Sequence, residues 1–154
     1  MFIYKVIEIL ESKNIEYAIA GGYAVALHGA VRGTVDIDLI IKLEKDTFLK
    51  IENAFEEIGL QSRLPIRGEE VFNFREEYIK NRNLIAWNFI NINNPAESVD
   101  ILLTEDLKKI KTKTIKSGIK TLKVVSVSDL IKMKNKSGRP QDLEDIKSLR
   151  SLKK

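Results

Sequence analysis

Residues 32–40 read Arg-Gly-Thr-Val-Asp-Ile-Asp-Leu-Ile, a β-branched run in which two acidic side chains alternate with apolar ones. A strand places residues i and i+2 on one face, so Asp36 and Asp38 should point together while Val35 and the other apolar residues point into a core. Like charges held this close repel each other unless a cation lies between them or one carboxylate takes a proton. The pattern therefore predicts a buried strand over residues 34–42 that carries a divalent-metal site.

Two further features accompany this run. Gly21 and Gly22 end a short apolar segment and precede a helix-like one, where free backbone N–H groups and the missing Cβ favour a phosphate. Far downstream, Asp100 lies in the strand-like sequence Val-Asp-Ile-Leu. A glycine pair also occurs at strand-to-helix turns for its backbone angles alone. Its combination with three acids favours two hard cations, Mg²⁺ or Mn²⁺, that hold a triphosphate and an attacking hydroxyl.

The remaining periodicity predicts a mixed α/β chain, of α+β type, with a small sheet and helices packed on it. Turn chemistry at Asn93-Asn94-Pro95 indicates an antiparallel pair of strands around it. With no internal repeat or low-complexity linker, we expect a single domain over residues 1–154, with residues 126–154 as a C-terminal helical portion that completes the site. The predicted helices cover residues 2–13, 23–28, 46–58, 129–134 and 141–149, with a loose helical assignment for 65–83. The predicted strands cover residues 17–20, 34–42, 84–93, 98–104, 112–115 and 120–125.

The composition narrows the class of protein. The 154 residues include no cysteine, which excludes disulfides and thiolate zinc sites and fits a reducing compartment, so the cytoplasm is the expected location. No run approaches the roughly 18 uncharged apolar residues of a membrane span, so no membrane partner is expected.

The charge is unevenly distributed. Residues 1–107 hold 11 Lys and Arg against 18 Asp and Glu, a net charge of −7, whereas residues 108–154 hold 15 against 4, a net charge of +11. This basic third would attract a polyphosphate or an RNA backbone, and a lysine-rich solvated surface is the equally good alternative. It contains no Phe, Tyr or Trp, which argues against a domain that binds single-stranded RNA by base stacking.

Taken in order, the glycine pair, the Asp-Ile-Asp-Leu sequence and the later aspartate resemble the DNA polymerase β-like nucleotidyltransferase superfamily. Arg32 and Thr34 before the acids, and a C-terminal Lys134 followed by Arg-x-x-Asp-x-x-Asp-Ile at residues 139–146, look like its small bacterial and archaeal branch. That branch includes AbiEii-type toxins and minimal nucleotidyltransferase antitoxins. The resemblance implies the polymerase β-like nucleotidyltransferase fold over most of residues 15–150.

The resemblance also implies roles for individual residues. Asp36 and Asp38 would ligate both metal ions, and Asp100 would share one of them and help to deprotonate the incoming hydroxyl. The implied nucleotide contacts are Gly21 and Gly22 to the β and γ phosphates, Arg32 or Thr34 to the nucleotide or second substrate, and Lys134 with Asp142 from the C-terminal helices.

The expected function is that of an enzyme that moves a nucleoside monophosphate from an NTP to a hydroxyl and releases pyrophosphate. The acceptor would be a tRNA, a protein or a small molecule, the first two reached through the basic third, and a toxin–antitoxin system is one setting. The alternative is a non-catalytic antitoxin or regulator that keeps the fold and acts by binding a partner. Such a module would bind its partner without magnesium and would not turn over NTP.

Overall fold

A computed structural model describes residues 1–34 and 36–152 of the chain, and Val35, predicted to point into the core, lies outside them. One mixed sheet organises the described residues, in the order β3-β4-β5-β2-β1-β7-β6. Its strands are β1 Ala18–Ala20, β2 Ile37–Ile40, β3 Gln61–Ser62, β4 Ala86–Asn91, β5 Asn94–Leu102, β6 Thr112–Ser117 and β7 Lys120–Val125. The predicted mixed sheet is confirmed.

Helices surround this sheet. They are α1 Phe2–Ser12, α2 Gly21–Leu27, α3 Lys45–Glu57, α4 Gly68–Asn73, α5 Arg75–Arg82, α6 Val127–Ser137 and α7 Pro140–Ser151, with a 3-10 turn at Leu107–Lys109. Local chemistry explains several boundaries. The Ser126 hydroxyl accepts a hydrogen bond from the Asp129 N–H and caps α6, and Gly138 ends α6 with a φ of +64°. Pro140 then begins α7, where its missing N–H is not needed.

The core lies where α1 and α3 cover the middle strands. Ile3, Val6, Ile7 and Leu10 recur at helical spacing on α1 and are all buried. Ile37 and Leu39 of β2 are fully buried, as the alternation predicted. Because neighbouring residues of a strand face opposite sides, burial of these two side chains turns the aspartate between them to the other face.

The central strand is shorter than the 34–42 predicted. β1 ends at Ala20, which pairs with Asp38, so the residues before Ile37 have no β1 partner to extend the ladder. Asp36 therefore lies in a bend before β2 rather than in the strand. Its side chain is still close enough to Asp38 to repel it.

The β4–β5 turn also differs from the prediction. The pairing is antiparallel as predicted, but the turn is Ile92-Asn93, and Asn94 and Pro95 already belong to β5. The register shifts between Ile90 and Asn91, and a β-bulge there tolerates a proline that cannot donate to the ladder. Among the described residues, no helix has both the length and the apolar content that crossing a membrane requires.

Candidate active site

Two aspartates meet on neighbouring strands. β2 and β5 run parallel, and Asp38 is paired with Asp100 in their register, so both side chains leave the same face of the sheet. Asp36 adds a third carboxylate from the bend before β2. All three line one cavity of about 540 Å³. The structure therefore brings Asp100 together with two acids that lie 64 and 62 residues earlier in the sequence.

Electrostatic strain is concentrated on Asp38. Burial raises the pKa of this carboxyl to about 7, and the negative charges of Asp100 and Asp36 add to the shift, while Lys134 and Arg139 oppose it. Near neutral pH the group is therefore divided between its protonated and ionised forms. A divalent cation among the three carboxylates would remove both the repulsion and the need for the proton.

The glycine pair makes room for this site. Gly21 has a φ of +62°, and a Cβ at this position would collide with the Asp38 carboxylate. A Cβ on Gly22 would lie 2.8 Å from Thr34 Oγ1 and 3.2 Å from Arg32 Cζ. Both glycines line the cavity, and the space beside them is taken by the chain's own side chains. Their immediate structural role is thus to admit Asp38 and the segment that carries Arg32.

Cations face the acids from the C-terminal helices. Lys134 is buried on α6, and its Nζ lies 2.9 Å from Asp145 Oδ2 and 3.5 Å from Asp142 Oδ1. Arg32 reaches the same Asp145, with 2.9 Å between Nε and Oδ1. Buried ions of this kind persist when each charge is paired and hydrogen-bonded. The two α7 carboxylates therefore hold basic side chains at the wall of the cavity.

Asp142 has a second role at the start of α7. Its Oδ2 accepts hydrogen bonds from the backbone N–H and the Nε of Arg139. Burial alone would raise the pKa of this carboxyl, but the hydrogen bonds from Arg139 and Ser137 lower it to about 2. Asp142 is thus an anion held by cations, and it orders Arg139 at the cavity rim.

Every residue predicted for the site lines this cavity: Asp36, Asp38, Asp100, Gly21, Gly22, Arg32, Thr34, Lys134 and Asp142. A second wall is apolar and comes from the start of β4 with the residue before it, from β5 and from α6, through Ile85, Ala86, Leu102, Leu130 and Met133. The structure thus groups a basic wall, a trio of acids and an apolar wall around one cavity.

Two polar residues of this region were not among the predicted site residues. Asp145 lies one turn after Asp142, and the i, i+3 spacing on α7 is the sequence signal that pairs them. Asn88 on β4 donates from Nδ2 to Asp100 Oδ1 across 2.7 Å. An isolated Asn in a strand carries no comparable signal.

The donor set suits hard cations. Carboxylate oxygens are the ligands that Mg²⁺ and Mn²⁺ prefer. Within residues 1–34 and 36–152, no three His, Cys, Asp or Glu side chains already form a metal cage. Magnesium binds in many proteins through one or two carboxylates together with substrate phosphates. Asp38 and Asp100, side by side in the parallel register, are the pair that could supply such carboxylates.

Known structures share this fold. The lincosamide antibiotic adenylyltransferase LnuA, in a lincomycin-bound crystal structure, is 15% identical with a TM-score of 0.66, covering 99% of this chain and 96% of that one. The antibiotic-resistance protein ANT(2")-Ia, in complex with adenylyl-2"-tobramycin, is 13% identical with a TM-score of 0.63, covering 96% and 84%. An antigenic nucleotidyltransferase-like protein from Paracoccidioides brasiliensis is 18% identical with a TM-score of 0.59, covering 96% and 74%. These likenesses confirm the predicted nucleotidyltransferase fold.

Sequence comparison gives a family rather than an individual relative. A family model described as a nucleotidyltransferase of unknown function (DUF6036) matches residues 2–153. No curated protein sequence is significantly similar to the chain.

Proposed function

Because the chain belongs to the DUF6036 nucleotidyltransferase family, we propose that it transfers a nucleoside monophosphate from an NTP to an acceptor hydroxyl in a reaction that needs divalent metal. The parallel register that sets Asp38 beside Asp100 in a cavity with a basic wall is the observation that carries this proposal. The proposed acceptors are a tRNA, a protein or a small molecule, and a toxin–antitoxin system is the proposed setting. Residues 1–154 would act as one nucleotidyltransferase domain.

Residues of the acidic and basic walls of the cavity would each take part in this reaction. The acceptor hydroxyl oxygen attacks the α-phosphorus, the bond from that phosphorus to the bridging β-oxygen breaks, and pyrophosphate leaves with the electron pair. The hydroxyl proton passes to a carboxylate oxygen of Asp100. Two Mg²⁺ or Mn²⁺ ions bound by Asp36, Asp38 and Asp100 would neutralise the charge on the phosphates and lower the pKa of the attacking hydroxyl.

The basic wall would hold the departing phosphates. Lys134 and Arg32 share the anion of Asp145, so neither side chain is free to move far from the cavity. Prepositioned cations stabilise developing charge without reorganising during the reaction. Gly21 and Gly22 would contribute backbone N–H groups, Thr34 would contact the nucleotide or the second substrate, and Asp142 would hold Arg139 at the cavity rim.

Two observations bear on the acceptor. One structural neighbour contains adenylyl-2"-tobramycin and another contains lincomycin, which supports testing small molecules that carry hydroxyls. The basic third supports testing RNA, but much of its charge is already paired. Lys108, Lys120 and Lys136 form ion pairs with Glu44, Glu11 and Glu105, respectively. The charge left for an RNA backbone is therefore smaller than the sequence total indicates.

A labelling experiment tests the proposal. The purified protein is incubated with Mg²⁺ and each of the four α-³²P-labelled NTPs, together with tRNA, total protein or a small-molecule extract. We expect label on one acceptor class, with label lost in the Asp36→Ala, Asp38→Ala double variant. Asp46→Ala, which removes an exposed acid on α3 outside the cavity, should keep the wild-type level.

Label that persists in the double variant would refute the proposed chemistry. No label on any acceptor, together with partner binding that does not need Mg²⁺, would favour the alternative of a non-catalytic antitoxin or regulator.

A further inference from the structure

A neutral amide stands directly across the strand from the third aspartate. Asn88 of β4 is paired with Asp100 of β5 in the antiparallel register, and cross-strand partners of this kind lie on the same face. Ser98, two residues before Asp100, shares that face and is buried. The amide of Asn88 thus lies among the polar side chains next to Asp100, and Asn88 itself does not line the cavity.

Both amide hydrogens of Asn88 have close acceptors. Nδ2 lies 2.7 Å from Asp100 Oδ1 and 2.9 Å from Ser98 Oγ. The first distance is at the short end of the range for an N–H donor, as expected for an acceptor that carries charge. Among the described residues, none donates to Asp100 Oδ2. Asn88 therefore holds one carboxylate oxygen of Asp100, a residue that lines the cavity.

The arrangement leaves one polar atom unsatisfied. Asn88 Oδ1 is buried and accepts no hydrogen bond from any described residue. A buried acceptor without a donor costs about 1–3 kcal/mol. Turning the amide over would place Oδ1 against the Asp100 carboxylate, and the two oxygens would repel each other. The carboxylate therefore fixes the orientation of the amide, and Oδ1 stays without a hydrogen-bond donor. A Leu of similar size would remove this cost but would leave Asp100 Oδ1 and Ser98 Oγ without the Asn88 donor.

A neutral donor suits this position electrostatically. A Lys or Arg at this position would neutralise Asp100 and compete with a divalent cation. An Asp or Glu would instead add a fourth carboxylate to a site that already holds three, and so increase the repulsion. An amide fixes the carboxylate and leaves its full negative charge in place. Residues that hold a ligand in this way commonly change metal affinity or activity by about 10–100-fold when they are replaced.

We propose that Asn88 is a positioning residue that holds the Asp100 carboxylate through one oxygen and so presents the other to the divalent cation. The inference rests on the proposed function, because it needs a cation that Asp100 helps to bind. It adds a residue for which neither the predicted motif nor the family match gives a role. Its support is the in-register contact, the short distance and the unsatisfied Oδ1.

Asn88→Leu tests this role, and the same strand offers a matched control. Asn91 donates from Nδ2 to Glu97 Oε1 across 2.9 Å, an amide-to-carboxylate contact like that of Asn88, but neither residue lines the cavity. Asn91→Leu should therefore keep the wild-type Mn²⁺ affinity and kcat, although its melting temperature should fall because Asn91 Oδ1 also accepts a hydrogen bond from the Asn93 N–H in the β4–β5 turn. We would measure Mn²⁺ binding by electron paramagnetic resonance without nucleotide, kcat and KM for the accepted NTP, and the melting temperature of each variant.

For Asn88→Leu we expect Mn²⁺ binding to weaken by about 10-fold or more and kcat to fall by about 10–100-fold, with KM for NTP changed by less than about threefold. The melting temperature should change little, because the loss of the unsatisfied Oδ1 offsets the loss of the donor to Asp100 Oδ1 and Ser98 Oγ. A purely structural residue would instead lower the melting temperature and leave kcat per folded molecule unchanged. If Asn88→Leu does not fold, Asn88→Ala serves for the same measurements.

Wild-type Mn²⁺ affinity and kcat in the folded Asn88 variant would overturn the inference while leaving the proposed function standing. A wild-type protein that binds Mn²⁺ but never turns over NTP would refute the proposed function, and the Mn²⁺ measurement would then decide the inference alone. A wild-type protein that neither binds Mn²⁺ nor turns over NTP would overturn both.

Discussion

Replacing Asp38 by Asn should stabilise the metal-free protein while it removes activity. The physical reason is the position of this carboxyl, whose pKa is raised from an ordinary value of 3.8 to about 7 by burial and by the charges of Asp100 and Asp36. A group with a higher pKa in the folded state binds protons more tightly when folded, so the metal-free fold loses stability as pH rises. Asparagine resembles the protonated acid and does not have this cost.

The magnitude follows from the two pKa values. Linkage with these values gives a cost of about 1 kcal/mol at pH 4.5 and about 4 kcal/mol at pH 8. The gain from Asp38→Asn should therefore grow by about 3 kcal/mol between these two pH values, an upper figure because water and buffer cations in the cavity screen the repulsion. For a chain of this size, that corresponds to roughly 6–12 °C in melting temperature.

Urea unfolding at pH 4.5 and pH 8, in the presence of EDTA, measures this difference. Asp46→Asn is the control, since Asp46 is an exposed acid that lies outside the cavity, and its effect should not depend on pH in this way. Adding Mg²⁺ at pH 8 should then stabilise the wild-type protein more than Asp38→Asn, because a ligand that binds only the folded state adds RT ln(1 + [L]/Kd). An equal change at both pH values, or a loss of stability at pH 8, would refute the account of Asp38 as a repelled, buried carboxyl.

Three further outcomes are expected. Gly21→Ala should lower stability and abolish labelling, because the new Cβ would collide with Asp38. Gly59→Ala, at a φ of +85° with open space around the new Cβ, should cost only about 1–2 kcal/mol in urea unfolding. Equal costs for the two variants would contradict the collision with Asp38. Lys134→Met should destabilise by about 3–5 kcal/mol, because it leaves Asp142 and Asp145 short of a buried partner, and a change below about 1 kcal/mol would rule out that pairing. The pKa of Asp142 is lowered to about 2, so its contribution to stability is present above pH 4 and is lost as pH falls toward 2. The stability lost in Asp142→Asn, measured by urea unfolding, should therefore shrink over that interval. A loss that stays constant would argue against the ion pair.

The acids of the site were predictable because each depends on a short-range pattern. Period-two alternation places Ile37 and Leu39 in the core and turns Asp38 outward, and this holds whatever the strand pairs with. The end of that strand was not predictable in the same way. Asp36 leaves the ladder because β1 ends at Ala20, which is a fact about a partner strand rather than about residues 34–42.

The basic residues of the site show the same difference between what a local pattern predicts and what long-range packing decides. Lys134 and Asp142 could be assigned to the site only through the resemblance to a family, because a lysine-rich third offers many similar candidates. What singles out Lys134 in the structure is burial between two carboxylates from the next helix. Helix spacing places Asp142 and Asp145 together, but the contact of α6 with α7, and of α7 with Arg32, depends on long-range packing.

The pairing of Asn88 with Asp100 depends on a strand register that cannot be read from the sequence of the hairpin. Asn91 pairs with Asn94 across the turn, so an unbroken ladder would set Asn88 opposite Glu97 and leave Asp100 opposite Ile85. The shift between Ile90 and Asn91 instead pairs Ile90 with Ser98, which moves β5 by three residues and brings Asp100 to Asn88. A bulge that absorbs Pro95 is therefore also what gives the third aspartate its amide. Without the bulge, Asp100 would lie opposite the apolar Ile85 and would lose the amide that holds it.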